Sequence, residues 1–174
     1  MRSAFLFAAI LAVAFRIASA PAAEAWAMYN FPERGFSIAF PAAPKVTKST
    51  PRGAIPVTQF QYNLDGVNFA HDVSVIEYPP GRGVRGDATG FLNFLVDKYA
   101  KGSGAAVRSR GPVTLAGRPG VEAVLVDAAH GTDHLIDLTV GKDRVYLVVS
   151  VGVAGTSAST DAKFFRDSLR LSAE

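Results

Sequence analysis

The sequence predicts an α+β fold: one largely antiparallel sheet covered by helices, an α+β sandwich. Three observations predict it. Apolar and polar residues alternate over several short stretches, the period at which successive side chains take opposite faces of a strand. Most of these stretches are joined by short turns rather than by the long crossovers that parallel strands need, so neighbours pair antiparallel. Two further stretches, 88–101 and 161–169, carry apolar residues at helical spacing and are available to cover the sheet.

Taken in order, residues 26–35 (WAMYNFPERG) read as a leading segment without regular structure. Phe36, Ile38 and Phe40 then share one face, with Ser37 and Ala39 on the other, in a half-buried strand that Pro41 and Pro44 end. Residues 45–56 are polar and proline-containing and read as a loop or irregular edge. A second strand over 57–64 reaches Asp65-Gly66, a hairpin dipeptide in which glycine tolerates the positive φ the turn requires. The return strand, 67–78, stops at Pro79-Pro80. After a glycine- and arginine-rich loop at 81–86, Asp87 stands where a helix N-cap accepts from the first free amides. Positions 91, 92, 95, 96 and 99 then form one apolar stripe, and Gly102 and Gly104 end the helix by adopting left-handed geometry. The second half reads as strands: 106–115, with Gly111-Pro112 marking a bulge or an edge, a turn over 116–120, and a meander of 121–128, 133–140 and 144–153. A small-residue linker, 154–160, leads to a short final helix with Phe164, Phe165, Ser168 and Leu169 facing inward.

The first 25 residues have the form of an export signal. Met1-Arg2 is followed by the apolar run Ala4 to Phe15 and then by Ala23-Glu24-Ala25, a small-x-small site for cleavage after Ala25. The run is shorter than the roughly 20 residues a membrane span needs, and Arg16 interrupts it. The expected organisation is a signal peptide over 1–25 and a single domain over 26–174, in a periplasmic or secreted protein whose mature part has no membrane segment. The chain contains no cysteine, which excludes thiol catalysis, disulfide exchange and Cys-ligated zinc or iron–sulfur centres, and leaves packing alone to stabilise the fold. Its 18 basic and 15 acidic residues give a net charge of +3, or +2 without Arg2, Arg16 and Glu24. The positive charges are scattered, with small clusters at Arg82 and Arg85 and at Arg108 and Arg110; a nucleic-acid binder carries a denser basic stripe.

Several segments together resemble the photosystem II extrinsic-protein-like (PsbP-like) family, whose fold is shared with a Ran-binding eukaryotic protein. They are Gly35-Phe36-Ser37-Ile38-Ala39-Phe40-Pro41, the hairpin around Asp65-Gly66, the single mid-chain helix, Leu115-Ala116-Gly117-Arg118-Pro119-Gly120-Val121-Glu122 leading into the meander, and Phe164-Phe165-Arg166-Asp167-Ser168-Leu169-Arg170-Leu171 near the end. The resemblance spans nearly all of residues 26–174. It implies an accessory or binding protein with no common catalytic residue, so no site carries over residue by residue.

Three patterns invite a chemical reading. Gly81-Arg82-Gly83-Val84-Arg85-Gly86 is literally G-x-G-x-x-G, but Pro79-Pro80 breaks the approach, the later strands are hairpin-linked, and no acidic residue lies about 20 positions on to hold a ribose. A mobile surface loop is the plain reading, with Arg82 and Arg85 as candidate contacts to an anion or a protein partner. His130, Asp133, His134 and Asp137 are the densest set of metal-ligand types, yet strand periodicity puts Asp133 and Asp137 on one face, His134 on the other and His130 in a turn. His71-Asp72 are adjacent in a strand and so face opposite ways, which argues against a base and its orienter. The pairs Phe91/Phe94 and Phe164/Phe165 lie on amphipathic helices and read as core. Trp26, Tyr29 and Phe31 lie next to the new N-terminus, either packed back as a lid or offered to a partner.

The functional expectation is a non-enzymatic, exported accessory module that binds an unidentified protein partner in the periplasm or at a membrane surface. Its candidate contacts are Arg82, Arg85, Trp26 and Tyr29, with no cofactor, metal or nucleic acid. The alternative is a small-molecule or lipid carrier with a pocket between sheet and helix.

Overall fold

The computed structural model describes residues 25–51 and 55–172; the export signal read at 1–25 lies outside them except for Ala25. Within these limits the architecture is α+β, with two antiparallel sheets rather than one. The larger has seven strands: β3 (Lys45–Ser49), β4 (Thr58–Asp65), β5 (Phe69–Glu77), β6 (Ala106–Leu115), β7 (Arg118–Asp127), β8 (Thr132–Val140) and β9 (Arg144–Val153), in the order β3-β4-β5-β9-β8-β7-β6. The smaller has three: β1 (Ala27–Phe31), β2 (Phe36–Phe40) and β10 (Arg170–Leu171), with β2 between the other two.

The hairpin β4–β5 forms where the sequence predicts one, but its turn is Val67-Asn68: Asp65 still pairs with Ala70, and the Gly66 amide donates to the Phe69 carbonyl at 2.8 Å. Gly66 does not take a positive φ; a side chain there would collide with the Phe69 ring. Helix α1 (Ala88–Ser103) then carries the chain over one face to the far edge. From there β6, β7, β8 and β9 return as a meander, and β9 closes the sheet against β5. Asp87 caps α1 by accepting from the Gly90 amide, and Gly104, at φ +74°, ends it; Gly102 lies inside the helix.

Strand alternation divides the large sheet's side chains between two cores. Leu92 and Val96 of α1 bury against Val121, Ala123 and Leu125 of β7, Ile136 and Leu138 of β8, and Val145 and Val149 of β9. On the other face, Phe60, Tyr62, Val73, Val75, Tyr146 and Val148 pack against Phe36, Ile38 and Phe40 of the small sheet, Phe165 of α2 (Thr160–Asp167) and Leu169 just beyond that helix. Seven residues of β8, Asp133 to Thr139, are buried because both faces of this central strand are covered.

Four expectations need correction. Residues 27–31 are a strand, paired with β2 in the register Tyr29↔Ile38, not an irregular lead. The segment read as a loop or irregular edge at 45–56 is an edge, but a regular one: it contains β3, whose five exposed residues pair with β4 on one side only. The register shift in β6 falls at Val107/Ser109 and not at Gly111-Pro112, although β6 is indeed an edge strand. Phe94 and Phe164 are exposed, so each aromatic pair contributes one ring to the interior.

Candidate functional site

The loop at 81–86 is held in a fixed shape by Asp143, from the β8–β9 turn. Asp143 Oδ1 accepts from the Gly81 amide at 3.0 Å and the Gly83 amide at 3.1 Å, and the Tyr78 amide donates to the Asp143 carbonyl at 2.9 Å. These bonds, the Gly81 amide first, hold the Asp143 carboxyl below its usual range. A side chain at Gly83 would collide with the Lys142 carbonyl, which explains a glycine there. The amides that a pyrophosphate would require are therefore already turned toward a carboxylate of the same chain, and α1 has its own cap in Asp87. Arg82 is exposed and borders, with Ile55, Pro56 and Pro79, a hollow of about 320 Å³. Arg85 is exposed too and donates to the Gly81 carbonyl.

Trp26 and Tyr29 pack back. The Trp26 ring lies 5.3 Å from the His71 ring and 5.1 Å from Phe164, and Tyr29 meets Phe40 edge-on at 6.1 Å. Both remain half-buried.

The four metal-ligand types are separated as strand periodicity predicts. Asp133 faces the α2 side, where it accepts from the Gly155 and Ser157 amides and the Ser157 hydroxyl, each at 2.9 Å. Burial raises its pKa, but these three bonds prevail and hold it below the ordinary value. His134 faces the α1 side, with Nδ1 3.1 Å from the Tyr99 hydroxyl. His130, in the turn, has Nδ1 2.6 Å from Asp127 Oδ2. Asp137 is buried on the α2 side, and its Oδ1 has no hydrogen-bond partner among the described residues. Arg166 lies close but is occupied, its Nη1 donating to Glu122 and its Nε to Asp167, both at 2.7 Å. Burial pushes Asp137 up to about 7.

His71 and Asp72 face opposite sides of β5. His71 Nδ1 is 2.9 Å from the Ser150 hydroxyl, and burial pushes its pKa down to about 4, so the ring is neutral at pH 7. Asp72 accepts from Ser74 at 3.0 Å on the other face.

Sequence reasoning treated Trp26 and His71 separately and missed what they form together. Trp26, Phe69, His71, Val153 and Asp161 line a cavity of about 610 Å³ where β5 and β9 meet the start of α2. A second, larger groove, about 710 Å³, runs between Thr89 and Asn93 of α1 and the backbone of Gly111, Pro112 and Gly120.

Comparison with solved structures decides the fold. The chain aligns over 89% of its length, and over 98% of the other chain, with the solution structure of cyanobacterial PsbP (CyanoP) from Synechocystis sp. PCC 6803, at a TM-score of 0.57 and 13% identity. The fold is PsbP-like. At that identity the likeness fixes architecture and not role. No protein-family model matches the chain, and no curated protein does. Among the described residues no helix of this PsbP-like domain is long and apolar enough to cross a membrane.

Proposed function

We propose that this protein is an exported, non-catalytic accessory module that docks a protein partner through the arginine loop at 79–87. The observation that carries the reading is the pairing of two exposed guanidinium groups, Arg82 and Arg85, with a backbone that Asp143 already holds in shape. A preshaped loop loses little conformational entropy on binding, and arginine beside an apolar hollow suits a partner surface that presents carboxylates. Asp133 and His134, by contrast, take part in hydrogen bonds within the fold, Asp133 at the turn after β9 and His134 beneath Tyr99.

The test is affinity purification from the host's own envelope, comparing the parent with the double variant Arg82→Ala/Arg85→Ala. A stoichiometric protein partner should be recovered with the parent and lost with the variant, at an unchanged melting temperature. Equal recovery by both, or no stoichiometric partner at all, would sink the reading.

The cavity lined by Trp26 and His71 favours a second reading, a small-molecule carrier. Its volume lies in the range of about 300–1,000 Å³ usual for ligand sites, and its walls mix aromatic with polar groups.

A further inference from the structure

The walls of this cavity have a definite chemical character. Two aromatic rings flank His71, with Trp26 at 5.3 Å and Phe69 at 5.0 Å between centroids. Asp161, in the first turn of α2, supplies the one formal charge of the lining; it is exposed and forms no ion pair among the described residues. Among the described residues, no lysine or arginine lines the cavity. His71 adds no positive charge at pH 7, because burial holds it neutral and its Nδ1 is engaged with Ser150.

We infer that the cavity between β5, β9 and α2 is a binding site for a small organic cation of the quaternary-ammonium class, held against the faces of Trp26 and Phe69 and balanced by Asp161. The inference rests on the carrier reading. Aromatic faces carry negative potential and attract a poorly hydrated cation, tryptophan most strongly. An anion would meet Asp161 with no base to offset it. A divalent metal ion is poorly matched, because among the described residues no group of three or more His, Cys, Asp or Glu gathers there, and the remaining oxygens of the lining are neutral. A neutral apolar molecule fits the rings but makes no use of Asp161, and that difference is measurable.

Trp26 is the chain's one tryptophan, so its emission reports directly on the site. The protein purified from its host envelope is titrated with choline, with tetramethylammonium, and with 3,3-dimethyl-1-butanol, the uncharged analogue of choline. Choline and tetramethylammonium should shift the emission saturably, with the alcohol weaker by about ten-fold or more, the scale of a desolvated cation–π contact. Asp161→Asn, an exposed change that should fold normally, should narrow that preference by removing the balancing charge, and Phe69→Ala should weaken both cations. Equal binding of choline and the alcohol overturns the inference and leaves the carrier reading standing; no saturable change with any of the three overturns both. Vesicles of phosphatidylcholine and of phosphatidylglycerol separate the sources: an added response to the former alone assigns the ligand to a lipid headgroup, and a response to free choline alone assigns it to a soluble molecule.

Discussion

Replacing Asp137 by Asn should stabilise the protein at neutral and alkaline pH and change nothing in acid. Asp137 sits beneath α2 beside an arginine that two other carboxylates already engage, so its ionised form is poorly compensated. Burial, the largest cause, lifts its pKa from 3.8 to about 7; Arg166 lowers it somewhat, and Glu122 and Asp167 push it up. A group whose folded pKa exceeds its unfolded value contributes stability that is complete below the unfolded value and is lost as pH rises through the folded one. The loss therefore begins near pH 4 and is complete shortly above pH 7. A rise of about 3 units, at about 1.4 kcal/mol each, sets its upper bound at about 4 kcal/mol. Asparagine keeps the shape and has no proton to lose. Urea unfolding of parent and D137N across this range should give curves that coincide near pH 4 and separate by ~2–4 kcal/mol near pH 8, with no further divergence above. Asp72, raised to about 6, and His71, lowered to about 4, titrate in both proteins and drop out of the difference. If D137N were instead the less stable protein at pH 8, attraction to Arg166 would outweigh the cost of burial and the reasoning would be wrong.

Two further outcomes are expected. Asp143→Ala removes the acceptor shared by the Gly81 and Gly83 amides, so limited trypsin digestion should cut after Arg82 or Arg85 in the variant at protease levels the parent survives; equal resistance would show that Asp143 does not hold the loop. Phe165→Ala empties a fully buried position between Phe40, His71 and Trp26 and should cost ~3–5 kcal/mol in chemical denaturation, with a red shift of Trp26 emission as water reaches the ring. A loss under about 1 kcal/mol would mean that the site collapses around the gap.

The elements written in local chemistry were legible in the sequence. Helix α1 announced itself through the Asp87 cap and one stripe of apolar side chains, and the β4–β5 hairpin through two strand-like runs on either side of Asp65-Gly66, although the turn itself falls two residues later at Val67-Asn68. The strands that escaped are those whose stability is borrowed from a neighbour. β3 is exposed throughout, with no alternation for a buried face to impose; it exists because Lys45 to Ser49 complete a ladder on β4. β10 is two residues long and depends wholly on β2. The separation of Asp133 from His134 followed from the period of a strand alone. The aromatic cavity did not, because Trp26, Phe69, Val153 and Asp161 are far apart in sequence and meet only through the β5–β9 pairing and the docking of α2. The lone tryptophan and a histidine in a strand were the available signals, and neither carries the other's position.

The two rims of the large sheet bear on how copies of this protein behave when crowded. A bare strand edge is a template on which another chain can extend the ladder, the first step toward fibres. At one rim β3 is short and carries Lys45 and Lys48, both exposed. At the other, Pro112 supplies no amide, and the irregularity at Val107/Ser109 breaks the regular spacing of bonding groups. An incoming strand would meet lysine repulsion on one side and an interrupted row of donors on the other. Self-association by backbone extension is thus disfavoured at both ends of the large sheet.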